Sequence, residues 1–171
     1  MGRTLSKNQY GEYQYGFQPI NDYGETINLP VTSGQGFKKG DLAIITSGYL
    51  AIATTLANIE PDIYVVLSEN TADEADGDGA IDAQVIPICD PRVRFMVHVA
   101  ANTALVQASH VGVRYSLSGG TGAMGITLAS AITADWGFMV EEIDISTDAL
   151  AFKSLEFGFA IGRFMTSPET T

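Results

Sequence analysis

The residues best suited to chemistry sit in one acidic stretch, "TADEADGDGAID" at residues 71–82, where carboxylates alternate with small residues in the manner of a cation loop. An EF-hand spaces its ligands along a twelve-residue loop, with Gly at the sixth position and a bidentate Glu at the twelfth. Placing Gly79 at the sixth position sets Glu74, Asp76, Asp78 and Asp82 at ligand positions, but the closing position is then Val85. The runs on either side, "DIYVVLS" and "AQVIPIC", are β-branched and predict strands, whereas an EF-hand needs two helices. The stretch therefore reads first as a solvated acidic turn. A looser calcium-binding hairpin built on Asp73, Asp76, Asp78 and Asp82 is the alternative.

Other constellations lack a part that their chemistry needs. "GTGAMG" at residues 120–125 satisfies G-x-G-x-x-G, but "ITLASAIT" follows it, so the glycines do not open the helix that a dinucleotide pyrophosphate requires. His98 and His110 lie on neighbouring candidate strands, and with Cys89 they fall short of a closed zinc set. Cys89 is the only cysteine, which excludes a disulfide framework and reads as a packed thiol. Glu141 and Glu142 are adjacent on a predicted strand and point to opposite faces, so they cannot share a substrate. No G-x-S-x-G elbow accompanies the serines. The sequence predicts no enzyme and no cofactor.

The elements that would position these residues are short strands. Apolar and β-branched runs punctuated by turn residues predict strands at 41–46, 49–54, 62–68, 83–89, 92–99, 111–118, 124–129, 136–143 and 155–165. In "RVRFMVHV", Val93, Phe95, Val97 and Val99 form one face, and Arg92, Arg94, Met96 and His98 the other. In "LEFGFAIGRF", the small residues Gly158, Ala160 and Gly162 share a face on which another backbone could come close. That face is the expected place for barrel closure or a subunit seam. A short helix is predicted only around 146–155, where "STDAL" opens like an N-cap.

Residues 1–36 differ from the rest. Gly, Asn, Gln and Tyr are mixed without a sustained period, which predicts an extended N-terminal arm, followed by a β-barrel domain at 37–171. Tyr10, Tyr13, Tyr15, Phe17 and Tyr23 are the candidate contacts by which the arm orders against a neighbour.

Overall composition narrows the partners. With 46% hydrophobic and only 17% charged residues, a chain of 171 residues predicts one domain whose apolar surface is partly covered by other subunits. A net charge of −11 argues against nucleic acid, because phosphate binding draws on clustered Lys and Arg. Every charged residue from Glu60 to Asp82 is acidic, so the molecule has sides of different sign, which favours oriented docking on a protein. No apolar run is long enough for a membrane span or a signal peptide, which predicts synthesis in a cytoplasm and no membrane partner.

The block from Lys38 to Val99 carries a family likeness. "KKGDLAIITSGYLAIATT", "DIYVVLSENTADEADG" and "AQVIPICDPRVRFMVHV" follow in order, and "HVGVRYSLS", "WGFMVEEID" and "LEFGFAIGRFM" continue the pattern. The sequence resembles the head decoration, or capsid cement, proteins of tailed bacteriophages. The features shared are a G-D-L lead-in to a strand, an S-G hairpin, a "YVVL" strand before an acidic turn, and a "VIPI" strand before a charged "RF-V" strand. The resemblance implies an all-β fold, a small antiparallel β-barrel or β-tulip, and a homotrimer on the outer capsid surface that cements neighbouring major capsid protein subunits against DNA pressure. It implies no catalysis. Within such a trimer, Gly158, Ala160, Gly162, Arg92, Arg94 and His98 are the candidate subunit interface, and deleting the arm is expected to spare the barrel while weakening capsid binding. The competing reading is a calcium-binding β-sandwich adhesin or ligand-binding module using the acidic loop 73–82.

Overall fold

The computed structural model describes residues 16–20, 25–53, 63–88, 92–100, 109, 111–118, 124–132, 137–144 and 159–165. Among them are eleven strands: β1 (Phe17–Pro19), β2 (Ile27–Pro30), β3 (Leu42–Thr46), β4 (Tyr49–Ile52), β5 (Ile63–Val66), β6 (Asp82–Pro87), β7 (Phe95–Ala100), β8 (Arg114–Ser118), β9 (Gly125–Ile132), β10 (Gly137–Asp144) and β11 (Phe159–Met165). The protein is all-β, as expected. The predicted helix at 146–155 falls outside the described residues.

Two sheets share the chain. The first runs β1-β7-β11-β10-β8-β9, and a parallel pairing of Val99 with Ile126 and Ala100 with Thr127 brings β9 back to β7. The sheet thus closes nearly into a barrel through β7 and β9. The second runs β2-β6-β5-β3-β4, all antiparallel. The β3–β4 hairpin turns on Ser47 and Gly48, at φ 53° and 89°, the two consecutive left-handed residues of a two-residue hairpin whose twist matches its strands. Beyond β2 the chain curls over this sheet: Val31 bridges Leu50 in parallel, and Thr32 N–H donates to the Leu50 carbonyl at 2.9 Å.

One core joins the sheets. Leu42, Ile63, Val65, Ile86 and Ile88 from the second sheet meet Phe95, Val97, Tyr115, Ile126, Val140 and Ala160 from the first. At its centre Phe17, Phe95, Phe138 and Phe164 pack with ring centroids 4.8–5.4 Å apart, tilted or edge-to-face, the arrangement that ring quadrupoles favour. A second cluster on the opposite face of the β2–β6 sheet comprises Val31, Phe37, Ala43, Leu50, Val66, Ala75, Ala83 and Val85. The middle of this sheet is therefore buried on both faces, which explains the continuous apolar reading of "IYVV" and of Leu42 and Ala43, whereas Ile45 at the hairpin end of β3 is exposed.

The boundary expected at residue 36 is corrected. Phe17, predicted to reach a neighbour, is fully buried in its own core, and β1 pairs with β7 through Phe17–Val97 and Pro19–Phe95. Phe17 N–H donates to the Gly40 carbonyl at 2.9 Å, and Gly16 N–H to the Met124 carbonyl at 3.0 Å. Gly16 sits at φ +84°, where a Cβ would come within 2.5 Å of the Gly40 carbonyl oxygen. β2 and the segment 31–37 complete the second sheet and its outer cluster. Deleting residues 1–36 would remove β1, β2 and the buried Gly16, Phe17, Pro19 and Val31, so the barrel would not be spared. The physical reason for the misreading is brevity: strands of three and four residues show no period, and their partners lie far along the chain. Tyr10, Tyr13, Tyr15 and Tyr23 fall outside the described residues.

The stripe of small residues is also reassigned. β11 is hydrogen-bonded between β10 and β7, with Ala160 facing the core and fully buried. A Cβ on Gly162 would collide with the Met139 carbonyl of β10. The close backbone approach read from these residues lies inside the chain and takes Ala160 and Gly162 away from any subunit seam. Gly158 lies outside the described residues.

Candidate functional site

The acidic stretch forms a loop held to the 31–37 segment at several points. Gly34 N–H donates to the Ala75 carbonyl at 2.6 Å, Ser33 N–H to Asp78 Oδ1 at 2.8 Å, and Gly79 N–H to the Val31 carbonyl at 2.9 Å. Phe37 and Asn70 exchange backbone hydrogen bonds at the start of the loop, where Asn70 Nδ2 also donates to the Gln35 carbonyl. Ala75, small and apolar amid carboxylates, is fully buried in the outer cluster. Glu69, Asp73, Glu74, Asp76, Asp78 and Asp82 stay exposed around this anchor. The result is a negatively charged loop of defined shape.

Two of its carboxylates serve the fold. Glu74 Oε2 accepts from Thr71 N–H at 2.6 Å and from Thr71 Oγ1 at 3.0 Å. These bonds, the backbone one foremost, hold the Glu74 carboxyl below its ordinary value of 4.5. Asp78 caps Ser33. Among the described residues, no three His, Cys, Asp or Glu side chains gather into a metal-holding group. Asp73, Asp76 and Asp82, the other candidate ligands, lie exposed on the loop and at the start of β6.

A second charged cluster lies on the β7–β11–β10 sheet. Glu141 is the extra residue of a β-bulge, between Val140 opposite Gly162 and Glu142 opposite Ile161. Arg94 Nε donates to Glu141 Oε2 at 2.8 Å, and Arg163 Nε lies 3.0 Å from Glu141 Oε1 without the alignment of a hydrogen bond. One carboxylate thus neutralises two guanidiniums. Arg94, expected at a subunit interface, is drawn into this internal clamp. Arg92 is exposed just before β7, and His98 pairs by its backbone with Phe159.

Sequence reasoning missed Asp41, a fully buried carboxylate at the G-D-L lead-in. Its Oδ2 accepts from Lys38 N–H at 2.8 Å, closing the turn whose Gly40 carbonyl receives β1. The signal was an aspartate set between a glycine and an apolar strand. Burial pushes the Tyr115 phenol up, in keeping with a core residue. The G-x-G-x-x-G pattern ends in β9, which starts at Gly125, so it meets a strand where a pyrophosphate needs a helix.

Compared with known proteins, the chain matches no protein-family model, no curated protein and no solved structure.

Proposed function

We propose that this chain is a structural virion protein, a capsid cement of the tailed-phage decoration kind. In this reading it binds the outer capsid surface as a homotrimer and bridges neighbouring major capsid protein subunits. The observation that carries the reading is the anchored acidic loop: six exposed carboxylates between Glu69 and Asp82 displayed on a segment fixed by backbone hydrogen bonds. A rigid surface of one sign selects and orients a complementary protein surface without losing much loop entropy on docking. The motifs that carry the family likeness fall on consecutive elements, from the Asp41 turn through β3, β4, β5, the loop and β6 to β7.

The mechanism is mechanical. A part bound to several coat subunits at once leaves only when all its contacts release together, so weak individual contacts give slow dissociation. A trimer presents each contact three times. Tyr10, Tyr13, Tyr15 and Tyr23 remain proposed capsid contacts, while Phe17 is withdrawn from that role by its burial. No catalysis, cofactor or nucleic acid takes part.

The test is solution mass by light scattering, with and without calcium, followed by sedimentation with emptied capsids. A calcium-indifferent trimer that sediments with capsids is the expected result. A monomer that changes size only with calcium, and ignores capsids, would move the function to the alternative calcium module.

A further inference from the structure

The anchored loop contains two consecutive Asp-Gly steps, Asp76–Gly77 and Asp78–Gly79, with different hydrogen bonding. Such a step is chemically labile because glycine has no Cβ to keep its nitrogen from the preceding side chain. At Asp78–Gly79 both reacting groups are engaged: the carboxylate accepts from Ser33 N–H, and Gly79 N–H donates to the Val31 carbonyl. At Asp76–Gly77 the carboxylate is exposed, and among the described residues neither it nor Gly77 N–H makes a hydrogen bond. The Cβ direction of Gly77 is also open, with no atom within 4 Å.

We propose that Asp76 is a site of spontaneous backbone isomerisation to isoaspartate, and that Asp78 is protected from the same reaction by its anchoring bonds. Gly77 N bonds to Cγ of Asp76 while the amide proton and the carboxyl hydroxyl leave as water, closing a succinimide. Water then adds to one ring carbonyl. Opening at the original peptide carbonyl routes the main chain through the side chain and gives isoaspartate; opening at the other restores aspartate. Water is lost and regained, so mass is unchanged, and no other reactant is needed.

The position makes the change consequential. Asp76 and Gly77 are the two residues between the Ala75 carbonyl that receives Gly34 and the Asp78 carboxylate that receives Ser33. Isomerisation inserts a methylene into the backbone between these anchors, and the loop loses at least one of them. The reaction needs only the chain itself and does not depend on which surface the loop meets.

The experiment ages the full-length protein in mildly acidic buffer below its melting temperature, alongside a peptide of residues 71–82. Isoaspartate is located by fragmentation mass spectrometry and by methylation with an isoaspartyl methyltransferase. The expected result is at least about tenfold more isoaspartate at Asp76 than at Asp78 in the protein, since two hydrogen bonds must open before the second step reacts. The peptide, lacking the anchors, should react at both. In the isomerised fraction the Ser33 or Gly34 amide should exchange faster. Comparable isomerisation at both steps in the protein, or more at Asp78, would overturn the proposal. So would a protein that stays unmodified while the peptide reacts.

Discussion

Gly162 of β11 lies against the carbonyl oxygen of Met139 of β10, so closely that a single methyl group on Gly162 has no room. The obstacle is backbone in a paired strand, which cannot rotate aside as a side chain would. Gly162→Ala should therefore destabilise the protein by about 1–3 kcal/mol through overpacking. A denaturant midpoint lower than wild type, with unchanged slope, is the expected reading; an unchanged midpoint would show that the two strands part more easily than their pairing indicates.

The Glu141 clamp gives a second test. Glu141→Gln keeps the shape but leaves Arg94 and Arg163 facing each other without their shared counter-charge. Both arginines are more than a third exposed, so solvent softens the loss to about 1–2 kcal/mol. Raising the salt concentration should shrink the difference between variant and wild type. A double-mutant cycle of Arg94→Met with Glu141→Gln should show coupling, as the bond is direct.

Phe17 decides whether the first residues belong to the domain. Its ring centroid lies 5.4 Å from that of Phe138 and 4.8 Å from that of Phe164. Phe17→Ala should cost about 3–5 kcal/mol, a large share of a typical domain's stability. A chain lacking residues 1–36 should fail to give a cooperative thermal transition. A stable, cooperatively melting truncation would return those residues to the role of a dispensable arm.

The loop has a pH signature at Glu74. Its carboxyl is lowered in the folded state by Thr71, so the charged form favours folding. The sign follows: this contribution is complete above the ordinary value of 4.5 and is lost as pH falls through the lower folded value. An NMR titration should place the Glu74 midpoint below 4.5, and Thr71→Ala should move it back upward. A Glu74 midpoint unmoved by that substitution would refute the assignment of Thr71 as the cause.

The strands from β3 to β11 were legible because their signal is local. β3–β4 carries its turn in the two residues Ser47 and Gly48, and Val93, Phe95 and Val97 alternate as a half-buried strand should. The alternation misled at Met96, which is 3% exposed although it shares a face with Arg94. β1 and β2 were not legible, because three or four residues carry no period and each strand exists only through its partner. The stripe of small residues was legible as a close approach, but not which backbone approaches.

Sequence by itself determined the all-β class, the succession of strands from β3 to β11 and the concentration of negative charge between Glu60 and Asp82, since all three are set by neighbouring residues. Only the tertiary structure decided that Phe17 belongs to the core, that Arg94 grips Glu141, and that the acidic loop is anchored through Ser33. The hydrogen bonds responsible join residues 47 and 45 positions apart. Side-chain periodicity reports which way a residue faces within its own strand, and it carries no information about what the folded chain brings to meet it.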